Sequence, residues 1–203
     1  MKIKKIVSLV LVAVGLVIIA ISIALPLLKK DKATTEEDKD LVYNLEKSLF
    51  YKEIENDGKK EIVDIDEDDF ETNCFFTITI PGKYYKETKF DKDNPYFVKL
   101  VNKEDKFTFD VTLDSGKFLD YHDIVVSDTN EYEKIDIKED YEVGNTKVLR
   151  KEYVVDGKKH LEYYYLYKSG LYIEYSFEAK KNYNYNYQEL EKLFSFEIKE
   201  QQL

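Results

Sequence analysis

Hydrophobic residues follow three different patterns along this chain. From Ile6 to Leu28 the sequence reads IVSLVLVAVGLVIIAISIALPLL, twenty-three residues without a charge. As a helix such a run would span roughly 34 Å, against a hydrocarbon core of about 30 Å. A secretory signal peptide has a shorter apolar region, about 7–15 residues, ahead of a small-x-small cleavage site. Here Leu25, Pro26, Leu27 and Leu28 carry the run past Ser22-Ile23-Ala24. The pattern therefore predicts an uncleaved signal anchor. Lysines flank the run on both sides, and the short side in front of it is the one expected to stay in the cytoplasm. This predicts a single-pass cell-membrane protein whose C-terminal domain is extracellular.

The second and third patterns follow a charged tether at 29–40, KKDKATTEEDKD. Thr34 with Glu37 has the spacing of a capping box, and Leu41, Val42, Leu45 and Leu49 continue at helical intervals, which predicts a helix over about 35–50. Alternation takes over after the Asn56-Asp57-Gly58 turn. Strands are expected at 61–66, 74–80, 96–101 and 107–113, the last two as a hairpin. A meander of 146–155, 160–168 and 171–179 turns at Asp156-Gly157 and Ser169-Gly170. The stretch 117–134 is mixed and has room for a short helix. Leu190, Leu193 and Phe194 then predict a late amphipathic helix near 187–194. The resulting plan is a membrane anchor at 1–28, a tether at 29–40 and one extracytoplasmic domain at 41–203. The expected class is α+β, an antiparallel β-sheet flanked by helices and preceded by one N-terminal transmembrane helix.

Phe76, Ile78 and Ile80 leading into Pro81-Gly82-Lys83-Tyr84, the meander, the late helix and Leu193-Phe194-Ser195-Phe196 together resemble the PsbP-like family over about 60–198. The resemblance implies an antiparallel sheet with helices on its two sides. That family includes extrinsic proteins of the photosynthetic oxygen-evolving complex and bacterial surface proteins. No binding motif of the family is visible here, so the resemblance assigns no functional residue.

Charge narrows the function classes. The formal net charge is −10, and the first thirty residues hold five lysines and no acid, so the remainder is more acidic still. A nucleic-acid partner is excluded, because phosphate contacts need a Lys/Arg excess on some face. One cysteine, Cys74, excludes an intramolecular disulfide framework. Arg150 is the single arginine beside many lysines, and tyrosine is abundant at 18 residues, a bias that points to an AT-rich genome such as that of a low-GC Gram-positive bacterium.

Candidate chemistry sits in the meander. A two-residue turn at Ser169-Gly170 would pair Leu166 with Ile173 and Tyr164 with Tyr175. One face would then carry Leu149, Tyr153, Tyr164, Leu166, Leu171, Ile173, Tyr175 and Phe177 as core. The other would carry Arg150, Tyr163, Tyr165, Tyr167 and Tyr172, with Glu152, Glu174 and Glu178. Rigid aromatic surface bearing hydroxyls, with a guanidinium able to stack on it, suits a sugar, a peptide or a protein partner. These five residues are the candidate binding site. No metal is expected: Asp64-x-Asp66-x-Asp68 begins like a calcium loop, but Asp69 and Phe75 stand where the loop needs Gly and Glu. Asp91, Asp93 and Asn94 have no better spacing. No cofactor and no catalytic residue are expected, since His122 and His160 fit no metal or nucleophile motif and Asp114-Ser115-Gly116 reads as a turn. The low-complexity strip Asn182–Tyr187 is expected to be the loop before the last helix. The expected function is a membrane-anchored, non-enzymatic binding domain, with the membrane contacted through 6–28 and an envelope protein or a glycan as partner. The alternative is an accessory subunit of a membrane complex.

Overall fold

Leu41, Leu45 and Leu49 are four residues apart, a spacing that serves one face of a helix and equally one face of a strand. Tyr43 separates the two readings, because only alternation places it beside Leu45, and both are buried. Leu41–Leu49 is strand β1. It pairs antiparallel with β4 (Thr72–Ile80), from Leu41 opposite Ile80 to Leu49 opposite Thr72. The helix expected over 35–50 is therefore corrected to a strand over its described part. The backbone groups along β4 require a partner, and β1 supplies it.

The structure is a computed structural model that describes residues 39–69, 72–104, 106–127 and 132–201. Asp40–Leu203 forms one compact unit. After β1 come β2 (Tyr51–Asn56), β3 (Lys59–Asp64), a 3-10 turn at Glu67–Asp69, β4, β5 (Tyr85–Phe90), β6 (Phe97–Asn102) and β7 (Phe107–Ser115). Helix α1 (Tyr121–Ser127) precedes β8 (Glu133–Val143), β9 (Thr146–Val155), β10 (Lys158–Lys168) and β11 (Leu171–Lys180). Helix α2 (Tyr187–Glu191) and β12 (Phe196–Gln201) close the described chain. The strands form a three-stranded sheet, β1-β4-β12, a seven-stranded sheet, β5-β6-β7-β11-β10-β9-β8, and the separate hairpin β2-β3.

The two larger sheets face each other. Tyr43, Leu45, Phe76 and Ile78 from the smaller sheet join Leu100, Phe109, Ile173, Tyr175 and Phe177 from the larger in one buried cluster. The expected α+β class is thus corrected to a mostly-β sandwich of antiparallel sheets. The face that a helix was expected to cover is covered by three strands, and the two helices are short. The late helix stops at Glu191, although Leu190 and Leu193 are buried as its pattern implied. Strands β2, β5 and β8 escape a reading by alternation because they are edge or hairpin strands with mostly exposed positions.

The membrane assignment is also corrected. Among the described residues no helix is long and apolar enough to cross a membrane, so the structure does not support the expected transmembrane signal anchor or the single-pass, extracellular placement. Helices α1 and α2 have seven and five residues, where a span needs about 20. The run 6–28 and most of the tether lie outside the described residues.

One irregularity decides which faces meet. At the β10–β11 turn Lys168 pairs with Leu171, but Leu166 pairs with Tyr172, so Tyr167 has no partner and the register shifts. Gly170 holds the turn at φ 84°, and a Cβ there would lie 2.8 Å from the Gly116 carbonyl oxygen. Beyond this bulge Tyr165 faces Ile173, Tyr163 faces Tyr175 and Leu161 faces Phe177. A one-residue shift moves every side chain to the other side of a strand. The expected pairing of Leu166 with Ile173 and Tyr164 with Tyr175 is corrected accordingly, and Tyr163 becomes core.

Tyr163 is fully buried, and its hydroxyl has no hydrogen-bond partner. Replacing the ring by Ala should cost about 3–5 kcal/mol. Tyr163→Phe should leave stability unchanged or raise it, since it removes only an unsatisfied buried polar group. Urea unfolding of both variants checks the pair, and a Tyr163→Ala variant as stable as the parent would contradict the register.

Candidate functional site

The five residues singled out in the meander do not share one surface. Arg150, Tyr163 and Tyr165 lie on the inward face of the large sheet, against the small sheet and the segment around α2. Tyr163 meets the Phe194 ring edge-on at 4.8 Å, Tyr165 packs on Phe196 at 5.0 Å, and Tyr167 meets Phe76 edge-on at 5.5 Å. Tyr167 also donates its hydroxyl to Glu200. Tyr172 pairs with Leu166 and points to the opposite face, with Glu174. The expected tyrosine ridge is corrected: three of its four tyrosines pack into the sandwich, because the bulge turns β10 over.

Arg150 anchors α2 to the sheet. Its side chain is 7% exposed and donates to Glu152 at 3.1 Å and Asp136 at 3.4 Å. The guanidinium lies 4.5 Å from the centre of the Tyr187 ring and 5.2 Å from that of Tyr141. Tyr187 donates to Glu152 at 2.5 Å, and Tyr141 donates to Glu191 at 2.7 Å. Burial works against ionisation of Glu152, yet hydrogen bonds from Lys159, Tyr187 and Arg150 hold its carboxyl below the usual range. Apart from the Arg150 Nε, which has no hydrogen-bond partner among the described residues, the groups here are paired inside the fold, so the cluster fastens rather than captures.

The opposite face of β9, β10 and β11 carries a cup. Leu149, Lys151 and Tyr153 stand on β9, Glu162 and Tyr164 on β10, and Tyr172 and Glu174 on β11. Phe118, α1 and Tyr132 form the other wall, enclosing about 360 Å³. Register explains the grouping: Glu162 is opposite Lys151, Tyr164 is opposite both Leu149 and Glu174, and Glu174 is also opposite Thr112 on β7. The walls are pinned. The Tyr121 hydroxyl donates to the Lys147 carbonyl at 2.9 Å and accepts the Leu166 N–H at 3.2 Å. Phe118 packs on Tyr172 at 5.7 Å, and Tyr172 on Tyr164 at 5.9 Å.

The two carboxylates of the cup differ. Glu162 is buried and fully engaged: it accepts from Tyr153 and, at 2.9 Å, from Tyr164, and it lies 3.5 Å from the Lys151 ammonium. Lys151 also lies 4.7 Å from the centre of the Tyr132 ring and 4.9 Å from that of Tyr153. Glu174 has neither a hydrogen bond nor an ion pair among the described residues. Burial first, and then the nearby Glu162, Asp110 and Asp114, push its carboxyl up to about 8, against the opposing pull of Lys151. Of this cup, sequence reasoning had only Tyr172 among the candidates. It placed Tyr164 in the core and missed Lys151, Glu162, Tyr132 and Phe118. The signal that could have found them is Glu162-x-Tyr164 crossing Tyr172-x-Glu174 on consecutive strands.

Other candidates are engaged elsewhere. A second cleft, of about 290 Å³ beside Tyr84, Phe107 and Tyr183, has Glu189 and Lys192 at its rim, and these pair with each other at 2.7 Å. Cys74 is buried, and burial pushes its thiol up to about 11. His160 stacks on Tyr153 at 4.9 Å, and His122 lies 3.5 Å from Glu139 at the surface. Among the described residues no cluster of His, Cys, Asp or Glu is arranged to hold a metal ion.

No family model and no curated protein matches the chain. A solved structure from Bacteroides thetaiotaomicron VPI-5482 is similar with a TM-score of 0.40 and 12% identity, covering 61% of this chain. The match spans 45% of that protein's length, and a likeness this slight carries no argument about function.

Two outcomes follow from the charges. Arg150→Ala, which removes one of three donors to Glu152 and the cation between the Tyr141 and Tyr187 rings, should cost about 1.5–3 kcal/mol in urea unfolding. The Glu174 carboxyl is raised from 4.5 to about 8 in the fold, so the folded state holds a proton that the unfolded state releases. The resulting penalty is absent below pH 4.5, grows between 4.5 and 8 and is complete above 8. Glu174→Gln should therefore match the parent in melting temperature at low pH and exceed it increasingly up to pH 8. A constant difference across that window would disprove the burial of this carboxyl.

Proposed function

We propose that this domain is a non-enzymatic binding module that takes a small ligand, or one side chain of a larger one, into the cup. The observation that carries the reading is Glu174: a half-buried carboxyl with no hydrogen bond or ion pair among the described residues, lining a cavity together with the Phe118, Tyr132, Tyr153, Tyr164 and Tyr172 rings. A carboxylate that its own fold leaves unengaged keeps its acceptor sites for the donors of a ligand. Ligand pockets occupy roughly 300–1,000 Å³ and combine apolar walls with a few polar groups that fix orientation. The cup falls within this size range and mixes aromatic and aliphatic side chains with several polar groups, and its walls are fixed by hydrogen bonds, which lowers the ordering cost of binding. Catalysis finds less support, because among the described residues no nucleophile stands beside a base: Cys74 is core, His160 stacks on Tyr153, and His122 lies at the surface beside Glu139. The PsbP-like resemblance lends no residue to this reading.

The test is a ligand-observed NMR screen of glycans, amines and short peptides against the parent, Tyr172→Ala and Tyr84→Ala. Tyr84 is 54% exposed and distant from the cup in the fold. Ligands should bind the parent and Tyr84→Ala and lose binding to Tyr172→Ala. Equal binding by all three would move the site elsewhere, and conversion of a bound ligand into product would defeat the non-enzymatic reading.

A further inference from the structure

The cup holds more acid than its own cations neutralise. Lys151 serves Glu162, Lys99 lies 3.4 Å from Asp110, and Lys47 lies 3.1 Å from Asp114. That leaves Glu174, near all three acids and within reach of the Lys151 charge, with no ion pair of its own among the described residues. The wall facing it across the cavity contributes Phe118, Ile124, Val125, Ser127 and Tyr132, none of which is charged at neutral pH. On the sheet side Tyr164 and Tyr172 flank it, one opposite it on the neighbouring strand and one two residues away.

Resting on the reading of the cup as a binding site, we infer that its ligand is a protonated organic amine, with the ammonium group between the Glu174 carboxylate and the Tyr164 and Tyr172 rings. With Glu174 ionised, the two carboxylates of the cup outnumber its one ammonium, which disfavours an anion. A bare metal ion is poorly served, because among the described residues no three acids converge to hold one. An organic ammonium needs less: one carboxylate for its N–H donors and aromatic faces for its charge, an attraction that strengthens where water is excluded. The protein already uses the same chemistry on itself, with Lys151 seated against Tyr132, Tyr153 and Glu162 in the same cup. The remaining volume takes the carbon skeleton against Phe118 and Ile124.

Binding is then coupled to a proton. The Glu174 carboxyl is largely protonated at neutral pH; on arrival of the ammonium it gives its proton to the buffer, and the carboxylate pairs with the cation. A ligand that binds one ionisation state has its apparent affinity scaled by the population of that state.

The probes are benzylammonium and benzyl alcohol, matched in shape and different in charge, titrated into the full chain by calorimetry. Benzylammonium should bind with release of a proton, visible as a dependence of the heat on the buffer's ionisation enthalpy. Its affinity should rise about tenfold per pH unit up to pH 8, the expectation for one ionising group. The alcohol should bind at least about tenfold more weakly. Glu174→Gln keeps the shape of the side chain and should bind benzylammonium at least about tenfold more weakly, without the pH dependence, and its melting temperature confirms that it is folded. Equal binding of both probes, or a Glu174→Gln variant that binds the amine as the parent does, overturns the amine assignment and leaves the cup a site for neutral ligands. Failure of both probes to bind overturns it as well. If Tyr172→Ala also retains every ligand found in the screen, the cup reading falls with it.

Discussion

The unpaired Tyr167 on β10 governs the arrangement of this domain. The residue adds one position between the Ser169-Gly170 turn and the rest of the strand. Because side chains alternate, everything before it on β10, and everything on β9 that pairs with β10, is turned over relative to an unbroken hairpin. Tyr163 and Leu161 thereby join Ile173, Tyr175 and Phe177 against the small sheet, and Arg150 follows Tyr163 inward as its cross-strand neighbour. Glu162, Tyr164 and Lys151 are carried to the opposite side, where they meet Tyr172 and Glu174. Core and cup are two consequences of the same insertion.

The inward polar groups are made tolerable by mutual pairing. Arg150, Glu152, Tyr187, Lys159 and Asp136 form a network in which most donors find an acceptor, and the two aromatic faces of Tyr141 and Tyr187 accommodate the guanidinium. This network replaces the apolar packing a helix as short as α2 could not provide alone, since an isolated turn or two of helix has little stability of its own. Phe194, stacked on Tyr175 at 4.3 Å, completes the attachment.

The cup obeys a different rule. Its inner members, Tyr153 and Glu162, are as tightly engaged as a core network, while Glu174 is left outside the pairing and is pushed toward its neutral form. Strands β9 and β10 are covered on both faces, by the small sheet and α2 on one side and by α1 with Phe118 on the other. A face built only for stability would have been filled with apolar side chains or given a partner for its last acid, whereas Glu174 is half-buried and lines the cavity. The combination of firm walls and one unengaged carboxyl is what sets this cavity apart from the cleft near Tyr84.

Much of the strand content was legible in the sequence. Alternation marked Cys74–Ile80, the 96–113 hairpin and the meander, and Gly157 and Gly170 marked two of its turns, because a half-buried strand must repeat every second residue. The strand at Leu41–Leu49 was not legible: its leucines are four apart, a multiple of two that also matches a helical turn, and only pairing with β4 resolved the choice. Strands β2, β5 and β8 carried no usable period, since edge strands bury too little to demand one. The candidate residues Arg150, Tyr163, Tyr165, Tyr167 and Tyr172 were chosen by counting back from the turn, and the count was off by one. The sequence by itself determined that β10 and β11 form an antiparallel pair rich in tyrosine and acid. Which tyrosines became core and which became cup was decided by the tertiary structure, because a bulge is stabilised by the contacts on both faces of the sheet and leaves no mark in the order of residues.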